Sequence, residues 1–423
     1  MFTKYVLPFI GGNHPFIQED LEAIEVAAVL MDVEYEKKKK EKFIGIYKTY
    51  LPLWVISIDE INGIMVEALI LNSEYFRTRR FDKATELDPQ RDLTSGSISD
   101  FISKLRLFES KINTYQKETK FELNGYLNPE ISSDIRVLFK TVERKAVSDI
   151  AIMSQRLSEQ AAILMCEPII SIFHVNVRRI LESLYQIPKI VNNQLLQLYN
   201  ELSEVANQFG NKVQELERNI DMLDDGTSYK KQYRMAETLT TELTSFRDAK
   251  NRSVKKLQSQ WEQINYLNDK IQQGYLNLIS SVFETKEKIL KLGTPFSEAS
   301  QRSKAVSVLM PIYIALFQEK KNRIAYLTPY ILNFERKKEL THSKGFDTLK
   351  NHFKHHYSKK LPPGILEIDE YNLLLSPNTQ QIFNDGVHKL RETKIISSKT
   401  YVRIMDAYNE FFRQARLPPK SRF

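Results

Sequence analysis

His352, His355 and His356 form the densest set of metal-capable side chains in this 423-residue sequence. On a helix His352 and His355 share a face at i and i+3, a spacing that holds a metal ion once carboxylate or thiolate ligands complete the shell. No such ligand stands at a matching distance, and Lys350, Lys354, Lys359 and Lys360 surround the cluster. Cationic neighbours repel a metal cation, so the segment reads as a solvated basic helix. Cys166 is the single cysteine and lies among Leu164, Met165 and Ile169. A nucleophilic thiolate needs an accessible, electropositive setting, and this one predicts a buried apolar side chain. Gly11-Gly12-Asn13-His14 lacks the Lys and Ser/Thr of a phosphate-binding loop and reads as a turn after a strand. The carboxylate pairs Asp224-Asp225 and Asp369-Glu370 fall in loops, where turns and helix caps account for them. The sequence thus predicts no catalytic residue, cofactor or metal site.

The cationic residues carry the more specific signal. Arg77, Arg79 and Arg80 form one cluster and Arg336, Lys337 and Lys338 another. Farther on, Lys344, Lys350, Lys354, Lys359 and Lys360 interleave with Phe346, Phe353, His355, His356 and Tyr357. Such a mixture neutralises phosphates and offers rings for base stacking. The competing reading is an ordinary solvated helix face. The charge is also unevenly placed. Residues 1–128 hold 17 cationic against 20 anionic side chains, residues 129–293 hold 22 against 21, and residues 294–423 hold 22 against 12. A final pair of helices, with Lys399, Thr400, Tyr401 and Arg403 opening the second, has the outline of a helix-turn-helix. Residues 346–357 lack the clear apolar face that a membrane-surface helix requires.

Each of the two cationic clusters follows a copy of one pattern. Leu51-Pro52-Leu53-Trp54-Val55 leads through a polar turn to an apolar run closing on Ile70-Leu71-Asn72. Met310-Pro311-Ile312-Tyr313-Ile314 leads likewise to Ile331-Leu332-Asn333. Both read as β-hairpins, at 50–72 and 310–333, and pairing them buries a face that neither hairpin buries alone. The prolines favour strand starts or an edge.

Between the copies the spacing is helical. Asn128-Pro129 is a strong helix start, and Pro168 and Pro188 are expected to start new helices or kink the old one. Leu195, Leu198, Leu202, Val205, Phe209, Val213 and Leu216 then repeat at threes and fours, as do Leu257, Trp261, Ile264, Asn268 and Ile271 after a turn near 224–228. That is the seam of a coiled coil, with Asn268 placed for a register-setting contact. The return helix is expected to be roughly 95 Å long against about 55 Å for its partner. Its far half is expected to pack on the helices of 129–186.

The sequence therefore predicts a mainly α protein: a long antiparallel coiled-coil stalk (129–293) inserted into a small α/β head built from two repeated β-hairpins. The head is drawn from 1–128 and 294–360, and a C-terminal helix pair with a disordered tail follows in 361–423. One cysteine rules out a disulfide framework. With no long uninterrupted apolar run and no signal-peptide pattern, a cytoplasmic protein without a transmembrane segment is expected. Two functions are compatible with this outline. The first is a non-enzymatic scaffold or adaptor within a larger intracellular assembly, meeting a protein partner or a second copy through the stalk. The second is a DNA- or RNA-binding protein with little sequence readout.

Overall fold

In chain order the elements are β1 (Thr3–Val6), β2 (Ile10–Asn13), α1 (Gln18–Glu36), β3 (Lys42–Ser57), β4 (Asn62–Glu67), β5 (Ser73–Arg80), α2 (Pro89–Leu93), α3 (Ile98–Thr114), β6 (Lys117–Asn124), α4 (Pro129–Phe139), β7 (Glu143–Ala146), α5 (Glu159–Phe173), α6 (Val177–Asp221), α7 (Tyr229–Leu292), β8 (Thr294–Pro295), β9 (Ala305–Gln318), β10 (Asn322–Leu327), β11 (Tyr330–Asn333), β12 (Leu340–Thr341), α8 (Lys344–Tyr357), α9 (Thr379–Glu392) and α10 (Ser398–Ala415). The structure is a computed structural model that describes all residues except 1–2, 15, 82–85, 140–142, 147–150, 223–228, 297–303, 320, 334–339, 359, 363–371 and 416–423. The chain divides into two compact units. The first comprises Met1–Phe76, Lys120–Phe173 and Glu287–Phe423, and the second Arg77–Thr119 and His174–Lys286.

The first unit is organised by a large mixed sheet with strand order β7-β1-β9-β3-β4-β8, with β10 also paired to β9. Its spine is the antiparallel pair β3–β9, in register from Lys42↔Gln318 to Ile56↔Ala305 with one bulge between Phe43 and Gly45. Alternation sends Tyr313, Ala315 and Phe317 to one face, against α1, α9 and α10. Met310, Ile312, Ile314 and Leu316 go to the other, against α4 and α8. Helix α9 sits very close on α1: a Cβ at Gly386 would lie 1.9 Å from the Ala23 carbonyl oxygen. Asn372 plugs the bulge, its side-chain oxygen accepting from the amides of Ile46 (3.1 Å) and Leu374 (3.2 Å).

The repeated pattern is a structural duplication. Leu51 pairs with Met310, and on either side Pro52 faces Leu309 and Tyr50 faces Pro311. A local two-fold axis through the Leu51–Met310 pair therefore exchanges the two prolines. It extends further. Leu7 N–H donates to the Leu309 carbonyl at 2.9 Å, and Met153 N–H donates to the Tyr50 carbonyl at 3.1 Å. Strand β1 lies parallel to β9, and Ile152 forms a parallel bridge with Tyr50. Each copy thus reads strand, helix, long strand, hairpin partner: β1, α1, β3, β4, and then residues 151–153, α5, β9, β10. In the first copy five residues join the helix to the long strand. In the second the same junction carries α6 and α7.

These findings overturn the expected fold class. A mainly α chain with a small head of two hairpins does not describe a unit whose sheet is large, mixed and covered on both faces. The error has a physical source. The long strands are buried on both sides, so they read as apolar runs without alternation. Strand β3 also begins at Lys42 rather than near residue 50, and β1, β7 and β8 are too short to leave a period-two pattern. The helix expected to run on from Pro129 stops at Phe139 and gives way to β7. Pro168 and Pro188 lie inside α5 and α6, and the break between those helices is at 174–176. Pro52 and Pro311 are in mid-strand. Pro52 points its nitrogen and carbonyl away from β9; the carbonyl accepts from Ala68 N–H at 2.9 Å, and the Ala68 carbonyl that an amide at 52 would face accepts instead from the Arg156 and Leu157 amides at 2.8 and 2.9 Å.

In the second unit α6 and α7 run antiparallel. The rings of Phe209 and Phe246 are 6.2 Å apart and Arg247 pairs with Glu217 at 3.5 Å. The far half of α7 packs on α3 as well as on the start of α6: Tyr275 meets Phe108 at 6.3 Å, Arg106 donates to Gln263 at 3.3 Å, and Lys286 donates to the Val175 carbonyl at 3.0 Å. Ser97 and Asp88 cap α3 and α2 with their side-chain oxygens. The stretch Glu159–Asn219 contains a window of mean hydropathy 1.4, long and apolar enough to cross a membrane by length and composition alone, with 22% of that window buried. Within it, Ala162, Cys166, Ile169 and Ile172 of α5 are buried, and α5 packs on β3 and β9.

Candidate functional site

The seam between α6 and α7 positions everything else on this pair. Of the residues expected there, Leu198, Leu216, Ile264 and Ile271 are buried, Leu195, Leu202, Leu257 and Asn268 are half-buried, and Trp261 is 39% exposed. The Asn268 oxygen accepts from Gln272, one turn along its own helix, at 3.2 Å. With about 100° per residue, the side chains flanking the seam sort into two faces. On one, Gln263 and Tyr275 of α7 meet α3, and Ser183 of α6 donates to the Leu87 carbonyl at 2.9 Å.

On the opposite face are Tyr185, Leu196 and Tyr199 from α6 and Trp261, Leu276 and Phe283 from α7. Their exposures run from 39% at Trp261 to 70% at Tyr185. All six fall roughly 70–140° to the same side of the seam. Because the helices are antiparallel, Trp261 comes level with Leu196, while Leu276 and Phe283 come level with the start of α6 and the residues just before it. Amide side chains fill the space between them: Asn192 on α6, and Gln258, Asn265 and Gln272 on α7. Charges of the same helices cluster on the other flank, at Glu201, Glu204 and Glu215 of α6 and Arg252 and Lys256 of α7. The arrangement is an uncovered aromatic and amide surface, of the composition found at the cores of protein interfaces.

The basic residues singled out by sequence are differently placed. In the second unit Arg79 donates to Ser281 at 2.6 Å and Gln116 at 3.3 Å, while Arg77 and Arg80 are exposed. In the first, Lys350 is held by Glu36 at 2.6 Å, and Lys354 and Lys360 are exposed. Arg336, Lys337, Lys338 and Lys359 lie outside the described residues. The rings expected to stack on bases are used in the core: Phe346, Phe353 and Tyr357 are buried, and Phe353 stacks on Tyr326 at 5.0 Å. Arg403, at the start of the supposed recognition helix, donates to Tyr35 Oη at 2.9 Å.

The other chemical candidates have structural roles. Burial pushes the Cys166 thiol up to about 12, which leaves it un-ionised and inert. Burial, with help from His356 and His355, lowers His352. Among the described residues no group of three or more His, Cys, Asp or Glu side chains is placed to hold a metal ion. Gly11 and Gly12 belong to β2, which pairs with β11. Both carboxylate pairs lie outside the described residues. A cleft of about 380 Å³ lies over α3, where Lys111 already holds Asp92 at 3.0 Å.

Sequence reasoning missed a set of polar groups beneath α1. Glu25 takes Lys48 at 2.6 Å and the Tyr313 hydroxyl. Seven residues on, Asp32 takes His342 at 2.6 Å, and that imidazole stacks on Tyr330 at 4.3 Å. Burial works against charge on Lys48, but Glu25 and Tyr50 outweigh it and raise its pKa. Three acids on one face of α1, Glu25, Asp32 and Glu36, spaced seven and four apart, were the available signal. These contacts fasten α1 to β3, β9 and the segment before α8, and the second imidazole nitrogen of His342, Nδ1, is buried without a hydrogen-bond partner. No protein-family model, curated protein or solved structure matches the chain.

Proposed function

We propose that the chain is a non-enzymatic scaffold or adaptor of an intracellular assembly, with the α6–α7 hairpin as its docking element. One observation carries this reading: between Leu216 and Ile264 no described residue is buried. Long helices draw most of their stability from packing an apolar face. This stretch encloses little of its own and gains by packing against something else. In the first unit Glu25, Asp32, Glu36 and Glu41 hold Lys48, His342, Lys350 and Arg323 in ion pairs that fasten elements together.

The test is recovery of assemblies from the native host by tagged full-length chain, compared with a variant in which residues 203–256 are replaced by a short Gly-rich turn. The expected result is loss of high-mass complexes with the first unit still folded. An unchanged set of complexes would overturn the reading. So would tight DNA or RNA binding by the shortened variant at near-physiological salt, because that would place the function on the basic C-terminal third.

A further inference from the structure

We infer that His352 and His356 of α8 form a two-imidazole site for one divalent transition-metal ion of the zinc, nickel or copper type. The site lies wholly in the first unit and is independent of the docking role proposed for the hairpin.

Position on the helix decides which histidines act together. With about 100° and 1.5 Å per residue, His356 stands about 40° and 6 Å from His352, and both side chains lean toward the N-terminus of α8. Histidines at i and i+4 on one helix face present a pair of imidazoles to a single zinc ion. His355 falls about 60° to the other side of His352, and its ring stands edge-on to that of His356 at 5.4 Å. Of these two neighbours, His356 acts more strongly on His352. The productive pair is therefore i and i+4 rather than the i and i+3 pair that the sequence first suggests.

The surroundings favour an ion. Among the described residues none of the three rings has a hydrogen-bond or ion-pair partner, although His352 is half-buried. A ring nitrogen withdrawn from water without a partner costs free energy, which a bound ion returns. The lysines do not oppose it. Lys350 and Lys354 project about 160° and 200° from His352, to the opposite side of α8, and Lys350 is held by Glu36 at 2.6 Å. Lys344 is held by Glu130 at 2.6 Å, and Lys360 lies beyond the last turn of the helix. The repulsion expected from the sequence is thus directed mainly away from the pair.

Neutral imidazole selects zinc, nickel and copper over magnesium and calcium, which take oxygen ligands. No third His, Cys, Asp or Glu side chain among the described residues joins the pair. Two protein ligands fall short of the three or four that hold catalytic and structural zinc, so water completes the shell and the ion exchanges.

The test uses the full chain, stripped with a chelator and dialysed against Zn²⁺ at neutral pH. One Zn²⁺ should bind per chain and should resist an excess of Mg²⁺. His352→Gln and His356→Gln should each weaken binding at least about tenfold, whereas His355→Gln should change it by less than about twofold. With Cu²⁺ as the probe, electron paramagnetic resonance should show nitrogen couplings from two imidazoles, and from one fewer in either variant. His356 is exposed, so its replacement should keep the helical circular dichroism and carries the test even if a change at His352 disturbs the fold. No zinc bound at about 1 mM would overturn the inference. So would binding that ignores His356→Gln, which would place the ion on others of the seven histidines, and so would an equal loss with His355→Gln.

Discussion

Glu67 and Glu41 are buried carboxylates pushed in opposite directions. Burial raises Glu67 to about 7, against the pull of the backbone amides of Leu71, Leu69, Asn72 and Ile70. Glu41 is held down to about 2, chiefly by its two-pronged contact with Arg323 at 2.7 and 2.6 Å. A carboxyl raised on folding contributes stability below its ordinary pKa, and that contribution is lost as the pH rises through 7. A carboxyl lowered on folding contributes above its ordinary pKa and loses that contribution as the pH falls toward 2. The stability linked to this pair should peak between about pH 4.5 and 5. Urea unfolding should show a loss of about 2–3 kcal/mol between pH 5 and 8, and Glu67→Gln should abolish most of that slope. Arg323→Met strands Glu41 in the core and should cost about 3 kcal/mol at pH 7, with the loss shrinking as the pH is lowered. A slope that survives Glu67→Gln would show that other groups set it.

At the scale of elements, the contact between α9 and α1 and the α6–α7 seam behave differently. At Gly386 the helices are so close that even a methyl group displaces backbone. Gly386→Ala should lower stability by about 2 kcal/mol or more, read as a fall in thermal midpoint with secondary structure retained. The seam was legible beforehand because spacings of three and four are a one-dimensional signal. Leu198, Leu216, Ile264 and Ile271 could be named from it. The uncovered face could not, since Tyr185 or Leu276 becomes notable only once α3 is known to cover the opposite side. The repeat was legible, but its symmetry was not: pairing Leu51 with Met310 requires the register of two strands about 260 residues apart. Asn372 was illegible for a related reason, because nothing in its neighbourhood announces a bulge in β3.

For the whole molecule, the division into two units implies separable unfolding. Among the described residues the α6–α7 segment between Leu216 and Ile264 contributes no buried side chain, so replacing residues 203–256 by a short turn should leave the thermal midpoint of the first unit within about 2 °C. A fall of more than about 5 °C would show that the hairpin supports that unit after all. Charge bears on partner choice at this scale. The excess of cationic side chains beyond residue 294 gives a long-range attraction for anionic partners, which decays within about 10 Å at 0.1 M salt. The aromatic and amide face has no such term, so association through it should be nearly independent of ionic strength.

The pairing of β3 with β9 also sets a timetable for the ribosome. Strand β3 is complete at residue 57, and its partner ends at residue 318. At roughly 5–20 residues per second, one edge of an apolar strand waits on the order of 10–50 s for its neighbour to be translated. During that wait the nascent chain has α1 and β4 to shelter it. A stalled or truncated transcript ending before residue 305 would leave that edge open permanently, a template for aggregation. The long helical excursion is therefore also a delay, and nascent-chain chaperones should engage this protein early and stay until β9 emerges.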